Sequence, residues 1–227
     1  MKSVVKQSAE AQAIAILREQ LLTGVIAPGA RLTEMDLAAS LQIARATVRQ
    51  ALHHLAQEGL IVLIPYTGWM VVDLTPTDAW ELYTLRAAIE ALAARLAAEN
   101  MTDLGQKRLK DAMAALTKAA RSGSLPEAAE ADFALHEAIV GLAQHRRLAE
   151  QYRIVSQQVR MFIASSDALV SGAALIDQHA PIVDAILAGD GVRAAQLSEQ
   201  HNVSEGEKLV AHLKAHEAAI EHDGRPA

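Results

Sequence analysis

Cysteine is missing altogether from the 227 residues. That excludes disulfides and thiolate metal ligands, and leaves histidine and carboxylates as the available ligands for a transition metal. Aromatic residues make up only 3% of the chain, so any core must be built from aliphatic side chains. No apolar stretch approaches the ~20 residues needed to cross a bilayer. The opening MKSVVKQSAEAQ has no apolar segment of signal-peptide length, so a soluble, cytoplasmic protein is expected. Positive charge is the scarcer sign: 21 Lys and Arg stand against 27 Asp and Glu, a net charge of −6. A broad basic field for indiscriminate nucleic-acid binding is thereby excluded. The deficit is not uniform. Residues 1–75 carry six basic against six acidic side chains and the remainder fifteen against twenty-one, so the acidic excess lies wholly in the C-terminal two-thirds.

What is present is alanine, leucine and helical spacing. With 51% apolar residues the chain can bury one large core or two small ones, and its composition predicts mainly helix. Residues 8–23 space Ile14, Leu17, Leu21 and Leu22 for one helix face, and GVIAPGA then breaks the pattern. Thr33 is an N-cap candidate for LTEMDLAASLQ, with Asp36 three residues on. RATVRQALHHLAQEGL repeats Val48, Leu52 and Leu55 at helical spacing before Gly59. IVLI and WMVV, separated by PYTG, read as a β-hairpin. DLTPTD looks like a linker, with Thr75 or Thr77 capping the next helix. Beyond it only helices are expected: one ending near Asn100, then 103–121, 126–143, 146–165, Leu175–Ala188 and 192–217, with a polar break at Ser166–Gly172.

Three helices and a hairpin in the first 73 residues match the winged helix-turn-helix plan, whose second motif helix enters the major groove. Arg45 and Arg49 lie one turn apart near the start of that helix, with Thr47 beside them. Arginine suits guanine O6 and N7 by a bidentate pair of contacts; ordinary solvated helix charges are the competing reading. The run LLTGVIAPGARLTEMDLAASLQIARATVRQALHHLAQEGLIVLIPYTGWMVV resembles the DNA-binding domain of GntR-family bacterial transcription regulators. The resemblance rests on the PG before the second helix, R-x-x-V-R-x-A-L, E-G-L and the wing glycine. It implies that Arg45 and Arg49 read bases, that Thr47 contacts the DNA backbone, and that Gly68 lets the wing tip approach the minor groove. Ala44 and Ala46–Thr47 depart from the family's frequent Ser or Thr and Thr-Pro, which removes a hydroxyl available for a phosphate.

The C-terminal part carries polar residues on apolar faces. Asp132 and His136, four residues apart in ADFALHEAIV, share a face with Leu135, Ile139 and Ala143. His179 keeps company with Leu175, Ile182, Val183 and Ile186, and His201 follows Ala194 and Leu197. A lone inward histidine is usually a hydrogen-bonded core residue. Three imidazoles and a carboxylate are different, because each costs kilocalories to bury unpaired and one divalent cation satisfies all four. Nitrogen and oxygen ligands suit Zn²⁺ first, with Ni²⁺, Fe²⁺ or Mn²⁺ open. The set resembles the metal site of the FCD domain, the all-helical effector module of the FadR-like branch of the GntR family, in its shorter VanR-like form. The resemblance spans about residues 78–217. It implies that Asp132, His136, His179 and His201 are metal ligands, with positions left for water or an effector. Arg86, placed among Leu82, Leu85, Ile89 and Ala93, either pairs with Glu90 or grips the carboxylate of an organic-acid effector; the resemblance favours the second. His53, His54, His145, His212, His216 and His222 are assigned no role.

The expected fold class is mainly α: a winged helix-turn-helix over 8–73, a linker over 74–77, a six-helix antiparallel bundle over 78–217 and a frayed tail over 218–227. The expected function is a ligand-responsive transcriptional regulator, a repressor rather than an enzyme. It would bind a near-palindromic double-stranded operator as a homodimer and sense a small carboxylate beside the metal, with no membrane partner. A constitutive regulator with a purely structural metal stays open. A metal-dependent hydrolase fused to a DNA-binding domain is the remaining reading. His136-Glu137 is similar to the start of H-E-x-x-H, but Val140 stands where the second histidine must be.

Overall fold

Backbone capping sets where the first helices begin. The computed structural model describes residues 7–165 and 172–222, and side chains outside 164–173 and before 220. By its contacts the chain divides into two units, Met1–Leu74 with Gln157–Asp167, and Thr75–Ser156 with Ala168–Ala227. In the first unit the Ser8 hydroxyl accepts from the Ala11 N–H and opens α1 (Ala9–Leu22), which buries Ala13, Ile14, Leu17 and Leu21. Thr33 caps α2 (Glu34–Leu41) by accepting from the Asp36 N–H, the arrangement its sequence spacing predicts. Gln42 ends α2 in the left-handed conformation. The next helix, α3 (Arg45–Gln57), buries Val48, Ala51, Leu52 and Leu55 on one stripe. Its N-cap is Ala44, which supplies no side-chain hydrogen bond. A bidentate pair, Arg18 Nε and Nη2 to Glu58 at 2.9 and 2.8 Å, ties α1 to the end of α3.

The hairpin is β2 (Ile61–Ile64) and β3 (Gly68–Val71), and β1 (Arg31–Leu32) adds a third strand in the order β1-β3-β2, all antiparallel. At two residues β1 is too short to leave an alternating pattern, so nothing in the sequence announces it. Trp69 on β3 faces the unit's core and pairs with Leu32 and Leu63.

The second unit is helical among the described residues. Thr75 opens α4 (Pro76–Glu99) with a full capping box through Asp78, and Pro76 takes the first helical position, where its missing N–H costs nothing. There follow α5 (Asp103–Ser122), α6 (Leu125–Leu142), α7 (Arg146–Ser165), α8 (Gly172–Leu187) and α9 (Gly191–His222). The helix α7 is shared: residues 146–156 belong to this unit and residues from Gln157 to the first. The longest packing line runs between α4 and α9. Small residues make it close, with Ala87, Ala93, Ala94 and Ala97 buried on α4. On α9 a Cβ at Gly206 would come within 2.6 Å of Tyr83 Cβ, so only glycine fits there. Leu109, Leu116, Leu135 and Ile186 fill the fully buried centre.

Two expectations change. Leu85 is 53% exposed; it precedes Arg86 by one residue, a turn of ~100° around the helix, and so falls off the buried stripe. The end of α9 is helical to His222, past the expected start of a frayed tail at 218, because no breaker precedes Gly224. Most of the polar break at Ser166–Gly172, and residues 223–227 of the tail, lie outside the described residues.

The wing tip carries local strain. The Thr67 N–H donates to Ile64 O at 3.1 Å, and Pro65 is followed by Tyr66 at φ 65°. Proline second and a left-handed residue third is the type II turn, which favours glycine at the third place. Tyr66 is fully exposed, so no packing repays its conformation. Tyr66→Gly is therefore expected to stabilise the winged unit by about 0.5–1 kcal/mol, read as a higher urea midpoint; a lower midpoint would contradict the strain.

Candidate metal centre and nucleic-acid interface

In the helical unit, α6, α8 and α9 bring three imidazoles together. One nitrogen from each of His136, His179 and His201 lies within 4.8 Å of the others, a spacing from which a metal ion could be held. His179 Nε2 is 3.0 Å from His136 Nε2. Asp132 Oδ1 lies 3.0 Å from His179 Nε2 and 3.8 Å from His136 Nε2. It makes no hydrogen bond of sound geometry despite being buried. Two of the rings, His179 and His136, have their orientation imposed from behind. His179 Nδ1 donates back to Leu175 O on its own helix at 2.7 Å, and a carbonyl can only accept. His136 Nδ1 meets Glu90 Oε2 at 2.6 Å. With both Nδ1 atoms committed, the two Nε2 lone pairs point at one another unless a proton or a cation lies between them. His201 stacks on His136 with centroids 5.4 Å apart, and its Nδ1 is buried without a hydrogen-bond partner.

Charge is distributed to suit a cation. Burial opposes the charge of Asp132, but His136 and His179 outweigh it and hold its carboxyl far below the usual range. Burial pushes His201 well below the ordinary imidazole range, and the neighbouring His179 and His136 add to that. His201 is thus a neutral imidazole with a lone pair to give. For His179, burial is overcome by the adjacent Asp132 carboxylate, 3.0 Å away, and its affinity for a proton rises.

Arg86 and Glu90 on α4 complete the centre. Arg86 Nε donates to Glu90 Oε1 at 2.6 Å, both side chains being about 4% exposed. Of the two fates the sequence leaves open for Arg86, the internal pair is present. Its Nη2, however, is buried with no hydrogen-bond partner. Tyr152 Oη and Asn202 Oδ1 share that condition, and the Arg86 guanidinium lies 5.7 Å from the Tyr83 ring and 6.0 Å from the Phe133 ring. Burial pushes Tyr83 up to about 12 and raises Tyr152 further, so both phenols are neutral donors. Glu90 itself was not legible as a site residue. Its Oε2 also accepts from Asn202 Nδ2 at 3.0 Å, and Arg86 and His136 overcome its burial to keep it charged. The only sequence signal was its place one turn after a buried arginine.

In the first unit, Arg45 and Arg49 leave α3 on one exposed side, their side chains 65% and 54% accessible. Thr47 is half-buried beside them. Arg49 is not free: it makes a bidentate pair with Glu34 at 2.8 and 2.7 Å. Gly68, at φ 101°, has nothing within 4 Å of where a Cβ would stand. It starts β3 behind the tip formed by Pro65–Thr67.

The FCD domain model matches residues 81–204, and the model described as bacterial regulatory proteins, gntR family, matches residues 9–71. A relative named "Probable D-xylose utilization operon transcriptional repressor", from Paenarthrobacter nicotinovorans, is 30% identical over 80% of each chain. The HTH-type transcriptional repressor RspR of Escherichia coli is 26% identical over 86% of each. A solved transcriptional regulator GntR from Rhodococcus sp. RHA1 superposes with a TM-score of 0.75 at 26% identity, over 90% of this chain and 99% of that one. A winged helix with two exposed arginines, joined in one chain to a helical unit with a buried histidine cluster, thus finds its relatives among regulators: the chain belongs to the GntR family, as a transcriptional regulator of the kind that carries an FCD domain.

Proposed function

We propose that this regulator is a metal-containing repressor that releases its operator when a small organic acid binds in the helical unit. The observation that carries the reading is the pair of facing Nε2 atoms, 3.0 Å apart, with an orphaned carboxylate oxygen and an orphaned imidazole nitrogen alongside. One cation among the three imidazoles would satisfy them together, with Asp132 Oδ1 3.0 Å from His179 Nε2 at their side, whereas a proton satisfies a single contact. Asp132, His136, His179 and His201 would hold it, with Zn²⁺ favoured by the donor set and Ni²⁺, Fe²⁺ or Mn²⁺ also suited. The metal would supply a Lewis-acidic point to which a carboxylate or hydroxyl oxygen can bind. The Arg86 guanidinium is paired with Glu90 through Nε, but its buried Nη2 has no hydrogen-bond partner, leaving a donor that a carboxylate could take. Arg86 therefore orients the acid.

On the DNA side, Arg45 and Arg49 would read base edges, Thr47 would touch the backbone, and the wing beginning at Gly68 would lie along the neighbouring groove. One short helix reads few base pairs, so a homodimer on a near-palindromic operator follows. The effector must contact the protein differently in the DNA-bound and released states, or it could not shift the balance between them. Two relatives bear the name repressor, and the same role is the one proposed here. Among the described residues no helix is long and apolar enough to cross a membrane, consistent with action on DNA in the cytoplasm.

Three outcomes test this. His179→Ala combined with His201→Ala is expected to abolish stoichiometric metal by elemental analysis while leaving DNA binding within about twofold; equal metal in variant and parent would remove the site. Arg86→Lys keeps the charge beside Glu90 but loses the planar fork. It is expected to leave metal content intact and to raise the organic-acid concentration that releases DNA by ~10–100-fold, the equivalent of one lost hydrogen bond to a charged group. An unchanged release curve would free Arg86 of that role. Arg49→Ala is expected to cost ~1–3 kcal/mol of specific binding in a gel shift, and no loss would mean another helix does the reading.

A further inference from the structure

The pair between Arg49 and Glu34 has a specific geometry. Arg49 Nε donates to Glu34 Oε1 at 2.8 Å and Nη2 to Oε2 at 2.7 Å, so the carboxylate occupies the side edge of the guanidinium. One hydrogen on Nη2 and both on Nη1 remain; the Nη2 hydrogen and the Nη1 hydrogen parallel to it form the end edge, which Glu34 leaves unoccupied. That edge presents two parallel N–H donors, the pattern that matches guanine O6 and N7. The two partners are unequal in exposure: Glu34 is 18% accessible and Arg49 54%. The acid is the seated member and the arginine the outward one.

Glu34 is seated from several directions. It is the first residue of α2, behind the Thr33 cap, where the helix N-terminus favours a carboxylate. The Arg49 hydrogen bonds lower its proton affinity, and the indole of the buried Trp69 on β3 and the charge of Arg45, 3.9 Å away, act in the same direction. A carboxylate beside a DNA-facing arginine also has a cost, because it repels phosphates. If Glu34 only neutralised Arg49, the protein would lose attraction and gain nothing. A long arginine side chain, on the other hand, sacrifices rotamer freedom whenever it is fixed on one base. Fixing it beforehand on the protein removes that loss from the binding step.

We propose that Glu34 is a positioning residue for base recognition, holding Arg49 by its side edge so that its end edge meets a guanine. This rests on the reading that α3 enters the major groove. The consequence is a trade between two kinds of affinity. Glu34 lowers attraction to DNA of any sequence and raises discrimination at a single base pair.

The test uses the full chain. A binding site is first selected from random duplex DNA with the parent protein, and every base pair of it is then varied singly. Arg49→Ala should flatten discrimination at one G·C pair per half-site; if no position flattens, it is the major-groove reading that falls. Glu34→Gln and Glu34→Ala, each checked for parental helicity by circular dichroism, are expected to flatten the same pair by at least fivefold. They should leave other positions unchanged and tighten binding to unrelated duplex by twofold or more. If Arg49→Ala flattens a position at which both Glu34 variants still discriminate like the parent, the positioning role is overturned and the reading of DNA by Arg49 stands.

Discussion

Taking a carboxylate out of water costs several kcal/mol unless donors and cations replace its hydration, and Glu90 meets that condition through three partners. Arg86 takes one oxygen, while His136 and Asn202 take the other. Removing any one leaves a buried charge short of compensation, a loss of about 3–5 kcal/mol when an ion-pair partner goes. The arrangement also does something that an apolar core of equal volume could not. By accepting from His136 Nδ1 it decides which nitrogen of that ring carries the proton, and so which nitrogen turns toward His179. The internal face of the bundle is thereby organised from the side opposite the three-histidine cluster.

The close packing of α4 on α9 serves the same end. Alanines on α4 and Gly206 on α9 bring the two backbones near enough for Asn202 to reach Glu90 across the interface. Larger side chains would separate the helices and stretch the hydrogen bond from Asn202. Leu135, Ile139, Ile182 and Ile186 are buried in the core of the same unit, and a low-dielectric interior strengthens every charge interaction inside it.

The winged unit handles charge in the opposite way. Arg45 and Arg49 are exposed, the net charge over residues 1–75 is zero, and among the described residues its one deeply buried acid, Glu58, is tied to Arg18. Attraction to DNA must therefore come from placed side chains rather than from a field. Salt screens the exposed pairs of this unit far more than the buried ones of the bundle. The two halves of the chain hence use the same residue types at very different effective strengths.

Periodicity and capping were readable from the residue order alone, because helix spacing and cap chemistry are local. The positions of α3, α5 and α6, the Thr33 cap, the choice of Thr75 or Thr77 as the next cap, and the inward faces bearing His136 and His179 follow from neighbours within one or two turns. So did the candidacy of Asp132, His201 and Arg86, since a polar residue on an apolar stripe stands out against its own helix. Only the tertiary structure decided which of these groups meet. Glu90 reaches His136 across 46 positions of sequence and Asn202 across 112, and Glu34 reaches Arg49 across the turn between two helices. Such contacts depend on how helices are laid beside one another, and no local pattern encodes that. The short strand β1 belongs to the same class, for it is a strand only because β3 lies next to it.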